Sequence, residues 1–222
     1  LAPTAYLAQR TPGAPSPSQA LRLYRNGLVP LASDTPGEID WVLYVPGAMI
    51  EVARCHLPRS LRKLLRKRPF EVTCDTAFDA VVEACADPGR TGGWISPAIQ
   101  QTARSLFEAG TAHSIECWDA RGLAGGLYGL ALGGLFVGES MFTRRSDAGK
   151  VAFAGLLAQL RVGGFTDIDV QMPSANMRRY GAEPLPPNSY LLRRASAMDR
   201  TAFWPAQVPP PETLLAPTAR ET

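Results

Sequence analysis

The sequence predicts an α+β fold built on a mixed, mainly antiparallel sheet. From His113 onward, residues alternate with the period of two expected of strands, and turns at Arg121–Gly122 and Gly133–Gly134 divide the stretch into a three-stranded meander. A helix from Ser146 to about Arg161 follows, and segment 165–171 alternates again. Strands, a helix and a further strand in this order are typical of an α+β domain.

Capping residues mark two helices in the first half of the chain. Ser16 or Ser18 caps a short helix that ends at Gly27. Ser96 caps the clearest helix of the chain, and Pro97 occupies its first position, where the missing N–H costs nothing. We therefore expect helices at both places.

Two short strands complete the first half. Segment 39–45, IDWVLYV, is rich in the β-branched and aromatic residues that favour strands. Segment 70–76, FEVTCDT, predicts a short strand that runs into a helix capped by Asp75 or Thr76.

Proline content divides the chain into three parts. The ends, segments 2–18 and 204–222, are rich in proline and predict extended, poorly packed arms that are disordered by default. We expect an N-terminal arm with a small domain over residues 1–57, a larger domain over 58–204 and a proline-rich tail over 205–222.

Composition excludes several classes of protein. Apolar residues make up 45% of the chain and charged residues 19%, which is typical of soluble globular proteins. The sequence has neither a run of 18 apolar residues nor a signal-peptide pattern. Four cysteines without CxxC spacing and two histidines make a zinc site unexpected. We expect reduced thiols, a cytoplasmic location, no membrane partner and a monomer.

Residues 59–68 predict a basic amphipathic helix. Leu61, Leu64 and Leu65 form its apolar stripe. The net charge of the chain is only +3, so a cluster of basic residues in one segment is notable. Such a cluster is explained about equally well by an anionic partner and by a solvated helix face. The basic residues of the segment are Arg59, Arg62, Lys63, Arg66, Lys67 and Arg68.

Glu139 is an isolated acid in an apolar run, where we expect it to close the third strand of the meander. The following helix returns the chain to a strand with Asp169 and Gln171 on one face and Ile168 and Val170 on the other. A crossover of this length usually makes two strands neighbours, so the three polar side chains are expected to meet in one cleft. An exposed strand edge explains a lone acid equally well.

Several segments together resemble the bacterial leucyl/phenylalanyl-tRNA–protein transferases. They are RTGGWISPAI, AHSIECW, GGLYGLALGGLFVGESMFTRRSDAGKVA, and DVQ followed by YGAEPLP. YRNGLVP and RSLRKLLRKRPFEVTCDTAF fit the amino-terminal half of the same family. The resemblance spans about residues 20–194, and its Gly-Glu-Ser-Met-Phe and Trp-Ile-Ser-Pro segments are specific in order and spacing.

The resemblance implies a fold similar to that of the N-acetyltransferases (GNAT-like), preceded by a small N-terminal domain. The implied reaction moves an aminoacyl group from the 3′ end of a charged tRNA to an amine, which converts an ester into an amide. Because this exchange is downhill, neither ATP nor a metal is required, and no cofactor is expected. Aligning the amine with the carbonyl and removing the amine proton are the main barriers.

The resemblance also implies roles for the three polar residues. Glu139 matches the acid of the Gly-Glu-Ser-Met-Phe segment and would bind the incoming amine. Asp169 and Gln171 match the family's Asp-x-Gln, in which the aspartate orients the glutamine and the glutamine contacts the amine. Since a glutamine amide is a very poor base, proton removal is left to Asp169, water or a tRNA hydroxyl.

The remaining implied sites bind the charged tRNA. Trp94 would lie against the terminal adenosine, Trp41 is a second candidate ring, and the basic segment 59–68 would contact tRNA phosphates. Core packing explains the apolar pocket residues equally well. The residues that match the family's aminoacyl pocket are Leu127, Phe136, Met141, Phe153, Leu156 and Ile168.

The sequence departs from the family pattern beside these segments. YRNGLVPLA lacks the family's tryptophan, and WVLYVPG keeps Trp41 and Pro46 but loses the polar and charged residues of the matching stretch. Asn176 replaces a family histidine, and LPPN replaces Ile-Pro-Arg-Arg. These departures concern the surroundings of the proposed site, whereas its three polar residues are retained.

Two functions follow from this contrast. In the first, the chain adds Leu, Phe or Met to proteins that begin with Arg or Lys, which marks them for degradation by the N-end rule. In the second, it acylates a small-molecule amine in natural-product biosynthesis. A catalytically silent tRNA- or peptide-binding module is a third class, against which the intact Glu139, Asp169 and Gln171 argue.

Overall fold

The structure, a computed structural model, describes residues 4–89 and 93–215. Three residues of the RTGGWISPAI motif, 90–92, and the last part of the predicted tail, 216–222, lie outside the described residues. Among the residues it describes, no helix has the length and apolar character required to cross a membrane.

The amino-terminal segment forms a three-stranded antiparallel sheet. Its strands are β1 (Thr4–Thr11), β2 (Val29–Ala32) and β3 (Ile39–Val45), in the order β1-β3-β2, with helix α1 (Pro17–Arg25) between β1 and β2. Residues 4–11 are extended as predicted, but the expectation of disorder is wrong for them, since they pair with β3. Strand β1 is exposed along nearly its whole length, so no apolar alternation marks it, and backbone pairing with β3 holds it in place.

A seven-stranded sheet forms the centre of the molecule, in the order β10-β4-β9-β8-β7-β6-β5. Only β8 and β9 pair in parallel, so the predicted mixed, mainly antiparallel sheet is confirmed. Its strands are β4 (Gly47–Glu51), β5 (Glu71–Cys74), β6 (Ala112–Asp119), β7 (Gly122–Leu132), β8 (Leu135–Thr143), β9 (Asp167–Asp169) and β10 (Glu183–Leu185).

Helices cover both faces of this large sheet, and each face has its own core. On one face, α1, α3, α4 and the small sheet pack near Tyr128 and Leu130. On the other, α2 and α5 pack near Ile115 and Leu127. The helices beyond α1 are α2 (Arg59–Leu65), α3 (Phe78–Cys85), α4 (Pro97–Glu108), α5 (Ala148–Gly163), α6 (Ala175–Arg178) and α7 (Pro187–Met198).

The chain leaves the small sheet at Pro46 and enters the large sheet at β4, ahead of the boundary predicted at residue 57. The small sheet and the large sheet share one core, in which Trp41 of the first and Tyr24 of helix α1 lie with Tyr128 of the second. The predicted division into domains stays a prediction.

Two predicted helix starts are confirmed and one is wrong. Ser16 caps α1 in a reciprocal capping box, and the Ser96 hydroxyl accepts a hydrogen bond from the Ile99 amide at 3.4 Å. Helix α3, however, begins after Ala77 without a side-chain cap. The Asp75 carboxylate instead accepts a hydrogen bond from the backbone N–H of Ser114, on the neighbouring strand β6, at 2.8 Å.

The carboxyl-terminal segment is also better packed than predicted, as far as residue 215. The Trp204 ring stacks on His113 at 4.3 Å and on Phe136 at 5.7 Å between centroids. The Gln159 side-chain amide donates to the Pro205 carbonyl at 2.5 Å, and the short 3₁₀ turn Pro211–Leu215 packs near α5. Apolar and ring contacts thus outweigh the proline content that suggested a loose tail.

Candidate active site

A cleft of about 640 Å³ opens between the small sheet and the large one. Strand β2 contributes Val29–Leu31, and most of the other lining residues come from strands β7 and β8, helix α5, and strand β9 with the segment after it. Its walls are largely apolar, with a few polar groups such as Glu139, Ser140 and Gln171. A cavity of this size and character is typical of a ligand site.

All the apolar residues assigned by resemblance to the aminoacyl pocket line this cleft, and so does Trp94. The six pocket residues come from four different elements, and together with Trp94 they span 74 positions of the sequence. Their role as a binding pocket stays a prediction. The residues are Trp94, Leu127, Phe136, Met141, Phe153, Leu156 and Ile168.

Glu139 lies in the middle of β8, so the prediction that it closes the strand is wrong. Tyr128 pairs with Ser140 and Gly129 with Gly138, which leaves Glu139 without a partner on β7. This irregularity is a β-bulge, and bulges re-aim a side chain near functional sites. A Cβ atom on Gly129 would lie 2.3 Å from the Val137 carbonyl oxygen, so the close approach at the bulge requires glycine.

The Glu139 carboxyl lies deep in the cleft. Its Oε1 atom is buried and has no hydrogen-bond partner among the described residues, while the Tyr24 hydroxyl hydrogen-bonds to the carboxyl. Burial raises the pKa of Glu139 to about 8, against the opposing effects of Tyr24 and the positive charge of Arg194. The carboxyl therefore retains a proton near neutral pH unless a cation approaches it.

Gln171 reaches the cleft through a left-handed turn. Its φ is 53°, and its backbone N–H donates to Asp169 Oδ1 at 2.9 Å. Strand β9 ends at Asp169, so the predicted alternation fails after it, and Gln171 lines the same cleft as Ile168 and Val170. The side-chain amide is anchored, because its Nε2 donates to the Gly138 carbonyl at 2.7 Å.

Asp169 lies behind the cleft and is fully buried. Besides the Gln171 amide, it accepts hydrogen bonds from the Tyr190 hydroxyl at 2.9 and 2.8 Å and forms an ion pair with Arg194. Asp169 does not line the cleft, so the three predicted polar residues form a cluster in which only Glu139 and Gln171 reach it.

Three residues of this cluster were missed by the sequence analysis: Tyr24, Tyr190 and Arg194. Tyr24 belongs to the YRNGLVP segment, which the resemblance contains without giving this residue a role. Arg194 is fully buried, whereas the adjacent Arg193 pairs with Asp167 at a partly exposed position. Nothing in the sequence LLRR distinguishes the two arginines.

Trp41 lies outside the cleft, which corrects its assignment as a second stacking ring. It is fully buried, with its ring edge-on to Tyr24 at 5.3 Å and its indole N–H donating to the Thr11 hydroxyl at 3.2 Å. A ring without an exposed face offers no surface on which a nucleotide base can stack.

Helix α2 ends at Leu65, short of the predicted residue 68, and the basic residues of the helix and of the segment after it are exposed to solvent. Leu61 and Leu65 are buried against the core, as the apolar stripe predicts. Near it, Lys63 and Lys67 line a smaller depression with Lys150 at the start of α5. Contact of this helix with tRNA stays a prediction. The exposed cations are Arg59, Arg62, Lys63, Arg66, Lys67 and Arg68.

Histidine and the acidic and thiol side chains form no metal site in the described part of the chain, since no group of three or more of them is placed to hold an ion. All four cysteines are buried thiols, with no disulfide among the described residues. Burial raises the pKa of the Cys55 and Cys117 thiols to about 12.

Comparison with known proteins identifies related sequences over most of the chain. The family model described as leucyl/phenylalanyl-tRNA protein transferase matches residues 49–195. The protein named leucyl/phenylalanyl-tRNA–protein transferase from Salinibacter ruber is 43% identical over 189 residues, 85% of this chain and 83% of its own length. Proteins of the same name from Paramagnetospirillum magneticum and Aromatoleum aromaticum are 42% and 48% identical, covering 83% and 78% of this chain and 90% and 74% of their own.

Solved structures show a weaker similarity. L-PGS from Bacillus licheniformis aligns with a TM-score of 0.42 and 10% identity, covering 76% of this chain and 62% of that protein. Similarity at this level does not establish a shared fold.

Proposed function

The chain belongs to the leucyl/phenylalanyl-tRNA–protein transferase family, and on this basis we propose that it transfers an apolar aminoacyl group, Leu, Phe or Met, from charged tRNA to the N-terminal amine of a protein. It is thus an aminoacyltransferase. We also propose that its larger sheet is GNAT-like, which the single parallel pair β8–β9 and the bulge beside it support.

The reaction exchanges one acyl bond for another. The amine nitrogen attacks the ester carbonyl of the aminoacyl-tRNA, the bond from that carbonyl to the terminal ribose oxygen breaks, and an amide forms. The amine loses a proton and the ribose oxygen gains one, so atoms and charge balance without a cofactor. The protein must align the amine with the ester carbonyl and provide an acceptor for the amine proton.

The apolar end of the cleft suits the donor side chain. Leu127, Phe136, Phe153, Leu156 and Ile168 are buried residues that present apolar surface to the cleft. Burying a Leu, Phe or Met side chain there is worth roughly 1.5–3 kcal/mol. Trp94 also lines the cleft, which supports the proposed stacking of the terminal adenosine.

Glu139 and Gln171 suit the acceptor amine. Glu139 is the one carboxylic acid among the described residues that line the cleft. Its pKa of about 8 lies near that of a protein α-amine, about 7.7–8.0, so a proton passes between the two groups at little cost. The Gln171 Nε2 atom is engaged by Gly138, which leaves Oε1 to accept a hydrogen bond from the amine.

Asp169 suits the role of a positioning residue. Its carboxylate accepts hydrogen bonds from the Tyr190 hydroxyl and the Gln171 backbone N–H and forms an ion pair with Arg194. Asp169 does not line the cleft. A carboxylate so enclosed has no path to the amine proton. This arrangement favours Glu139 or a solvent molecule over Asp169 as the proton acceptor.

The observation that carries the proposal is the placement of one protonatable carboxyl and one anchored amide in the lining of an apolar pocket. The alternative of a small-molecule acceptor gains no support from the relatives, since those compared are named as protein transferases. Cytoplasmic location and a monomeric state stay predictions.

The test is transfer of radiolabelled Leu, Phe and Met from charged tRNA to a peptide that begins with Arg. We expect incorporation by the native chain and by the control Glu83→Ala, whose side chain is exposed, and none by Glu139→Ala. Binding of charged tRNA without incorporation would exclude this acceptor, and absence of both would overturn the proposed reaction.

A further inference from the structure

Arg194 is a buried residue of α7 that lies behind the cleft, where it contacts Asp169 and the Tyr24 backbone. We propose that Arg194 is a positioning residue that holds Asp169 and Tyr24 in fixed relation and thereby places both Gln171 and Glu139. The inference rests on the proposed function, because the placement of these groups matters only if they act on a common substrate.

The first branch of contacts runs from Arg194 to Gln171. The guanidinium Nη1 forms an ion pair with Asp169 Oδ2, and neither side chain is appreciably exposed. Asp169 Oδ1 in turn accepts the hydrogen bond from the Gln171 backbone that defines the left-handed turn. A left-handed conformation at a residue other than glycine is unfavourable and persists only when its surroundings enforce it. The ion pair fixes the carboxylate that enforces this turn.

The second branch runs from Arg194 to Glu139. The guanidinium Nη2 donates to the Tyr24 backbone carbonyl at 2.5 Å. Tyr24 is buried, and its hydroxyl hydrogen-bonds to the Glu139 carboxyl. Arg194 therefore connects helix α1, which carries Tyr24, to strand β9, which carries Asp169, although these two residues are far apart in the sequence.

Both branches depend on the shape of the guanidinium. Its two terminal nitrogens point to two different elements, a geometry that the single ammonium of lysine does not reproduce. Burying a cation is unfavourable unless its partners compensate for lost water. Arg194→Lys therefore keeps the positive charge but cannot bond Asp169 and the Tyr24 carbonyl at the same time.

The charge of Arg194 also acts on Glu139. The titratable groups that face this carboxyl are Tyr24 of α1, Tyr44 of β3 and Tyr190 and Arg194 of α7. The positive charge of Arg194 lowers the pKa of Glu139, against the effect of burial. Replacing Arg194 with a neutral residue removes this influence, so the pKa of Glu139 rises further.

Arg193 provides a matched control. It precedes Arg194 on α7 and pairs with Asp167, which lies two residues before Asp169 on β9, at 2.7 Å. The same type of ion pair between the same two elements thus occurs one position away. Neither Arg193 nor Asp167 lines the cleft or contacts Gln171 or Glu139 among the described residues.

The experiment measures kcat and KM of peptide aminoacylation for Arg194→Lys and Arg193→Lys. We expect Arg194→Lys to lower kcat roughly 10- to 100-fold, because misplacing reacting groups by about 1 Å has effects of this size. The KM for charged tRNA should stay within about twofold, and Arg193→Lys should change neither constant. In an Asp169→Asn background, Arg194→Lys should have a much smaller effect than in the native chain.

The dependence on pH provides a readout that a structural role would not move. For Arg194→Gln, the rising limb of kcat/KM should shift to higher pH, because Glu139 ionises later. Equal loss of kcat in Arg193→Lys, or multiplicative effects of Arg194→Lys and Asp169→Asn, would overturn the proposal. If the Arg194 variants do not fold, Tyr190→Phe, which removes a donor to Asp169 and retains the guanidinium, must still lower kcat.

The two proposals fail in different ways. Aminoacylation by the native chain tests the proposed function alone. If the native chain transfers the aminoacyl group and both Arg194→Lys and Tyr190→Phe match it in kcat, only the positioning role is excluded.

Discussion

The Gln171 side-chain amide donates to the Gly138 carbonyl at 2.7 Å, immediately beyond Val137 and Asp169, the last backbone pair between β8 and β9. The two parallel strands separate at this point, and a side chain replaces the next backbone donor. The residue after Gly138 is Glu139, so the hydrogen bond also ties Gln171 to the segment that carries the acid. The same hydrogen bond therefore lies where the two strands separate and fixes a residue that lines the cleft.

Replacing Gln171 with glycine separates its function from its conformation. Glycine adopts a φ of 53° without strain, so the turn should be retained and stability should fall only by about 1 kcal/mol for the lost bond to Gly138, while loss of the amide should lower kcat at least ~10-fold. Transfer kinetics, thermal unfolding and the Kd for charged tRNA check this prediction. Gln101→Gly, in the exposed part of α4, is the control for the substitution itself and should leave kcat unchanged. Loss of tRNA binding by Gln171→Gly would show that Gln171 is structural.

Glu139→Gln should change the dependence of stability on pH. Burial raises the pKa of Glu139 from 4.5 to about 8, so between these values the folded chain holds a proton that the unfolded chain has lost. The stability of the native chain therefore falls as pH rises from about 4.5 to about 8. Glutamine does not titrate, so the melting temperature of Glu139→Gln relative to the native chain should rise over this interval and level off above it.

Thermal unfolding of both chains at several pH values measures this difference. Glu83→Gln, with an exposed carboxylate, serves as the control and should show no such trend. A constant difference between pH 4.5 and 8 would mean that Glu139 is ionised throughout the interval.

The basic face of α2 should contribute to tRNA affinity through phosphate contacts. Arg62 of α2 and Arg66 at its C-cap are exposed, so Arg62→Ala with Arg66→Ala should weaken binding and reduce the slope of log K against log salt by about two, one for each lost contact. Filter binding at several salt concentrations measures the slope. Arg104→Ala with Arg121→Ala removes the same charge elsewhere and should leave it unchanged. An unaltered slope in the α2 variant would exclude this helix from the tRNA site.

Trp204 should contribute to stability far more than its neighbour Phe203. Its ring contacts His113, Phe136 and Phe165, so Trp204→Ala should destabilise the fold by about 3 kcal/mol. Phe203 is 62% exposed, and Phe203→Ala should change stability by less than about 0.5 kcal/mol. Denaturant unfolding compares the two. Equal, small effects would mean that the segment after residue 203 is loosely attached.

The elements themselves follow from local sequence. The meander from β6 to β8, the caps at Ser16 and Ser96 and the long helix α5 are all read from periodicity and capping residues, and the structure confirms them. The family resemblance rests on short motifs of the same kind and is confirmed by the comparisons. Such signals are legible in one sequence because the interactions behind them span only a few residues.

Tertiary structure decided the arrangement of the site. The bulge at Glu139 is a matter of register between β7 and β8, and the left-handed turn at Gln171 breaks the alternation that a strand pattern predicts. The burial of individual side chains is not visible in the sequence either. Trp41 is aromatic like Trp94 but fully buried, and Arg194 is buried whereas Arg193 is partly exposed.

Register, burial and ion pairing depend on partners far away in the chain, which no local pattern records. The sequence by itself determined which elements form and to which family the chain belongs, because short-range periodicity and motifs carry that information. Contacts between distant segments alone decided that Glu139 and Gln171 face one cleft while Asp169, Tyr190 and Arg194 lie behind it.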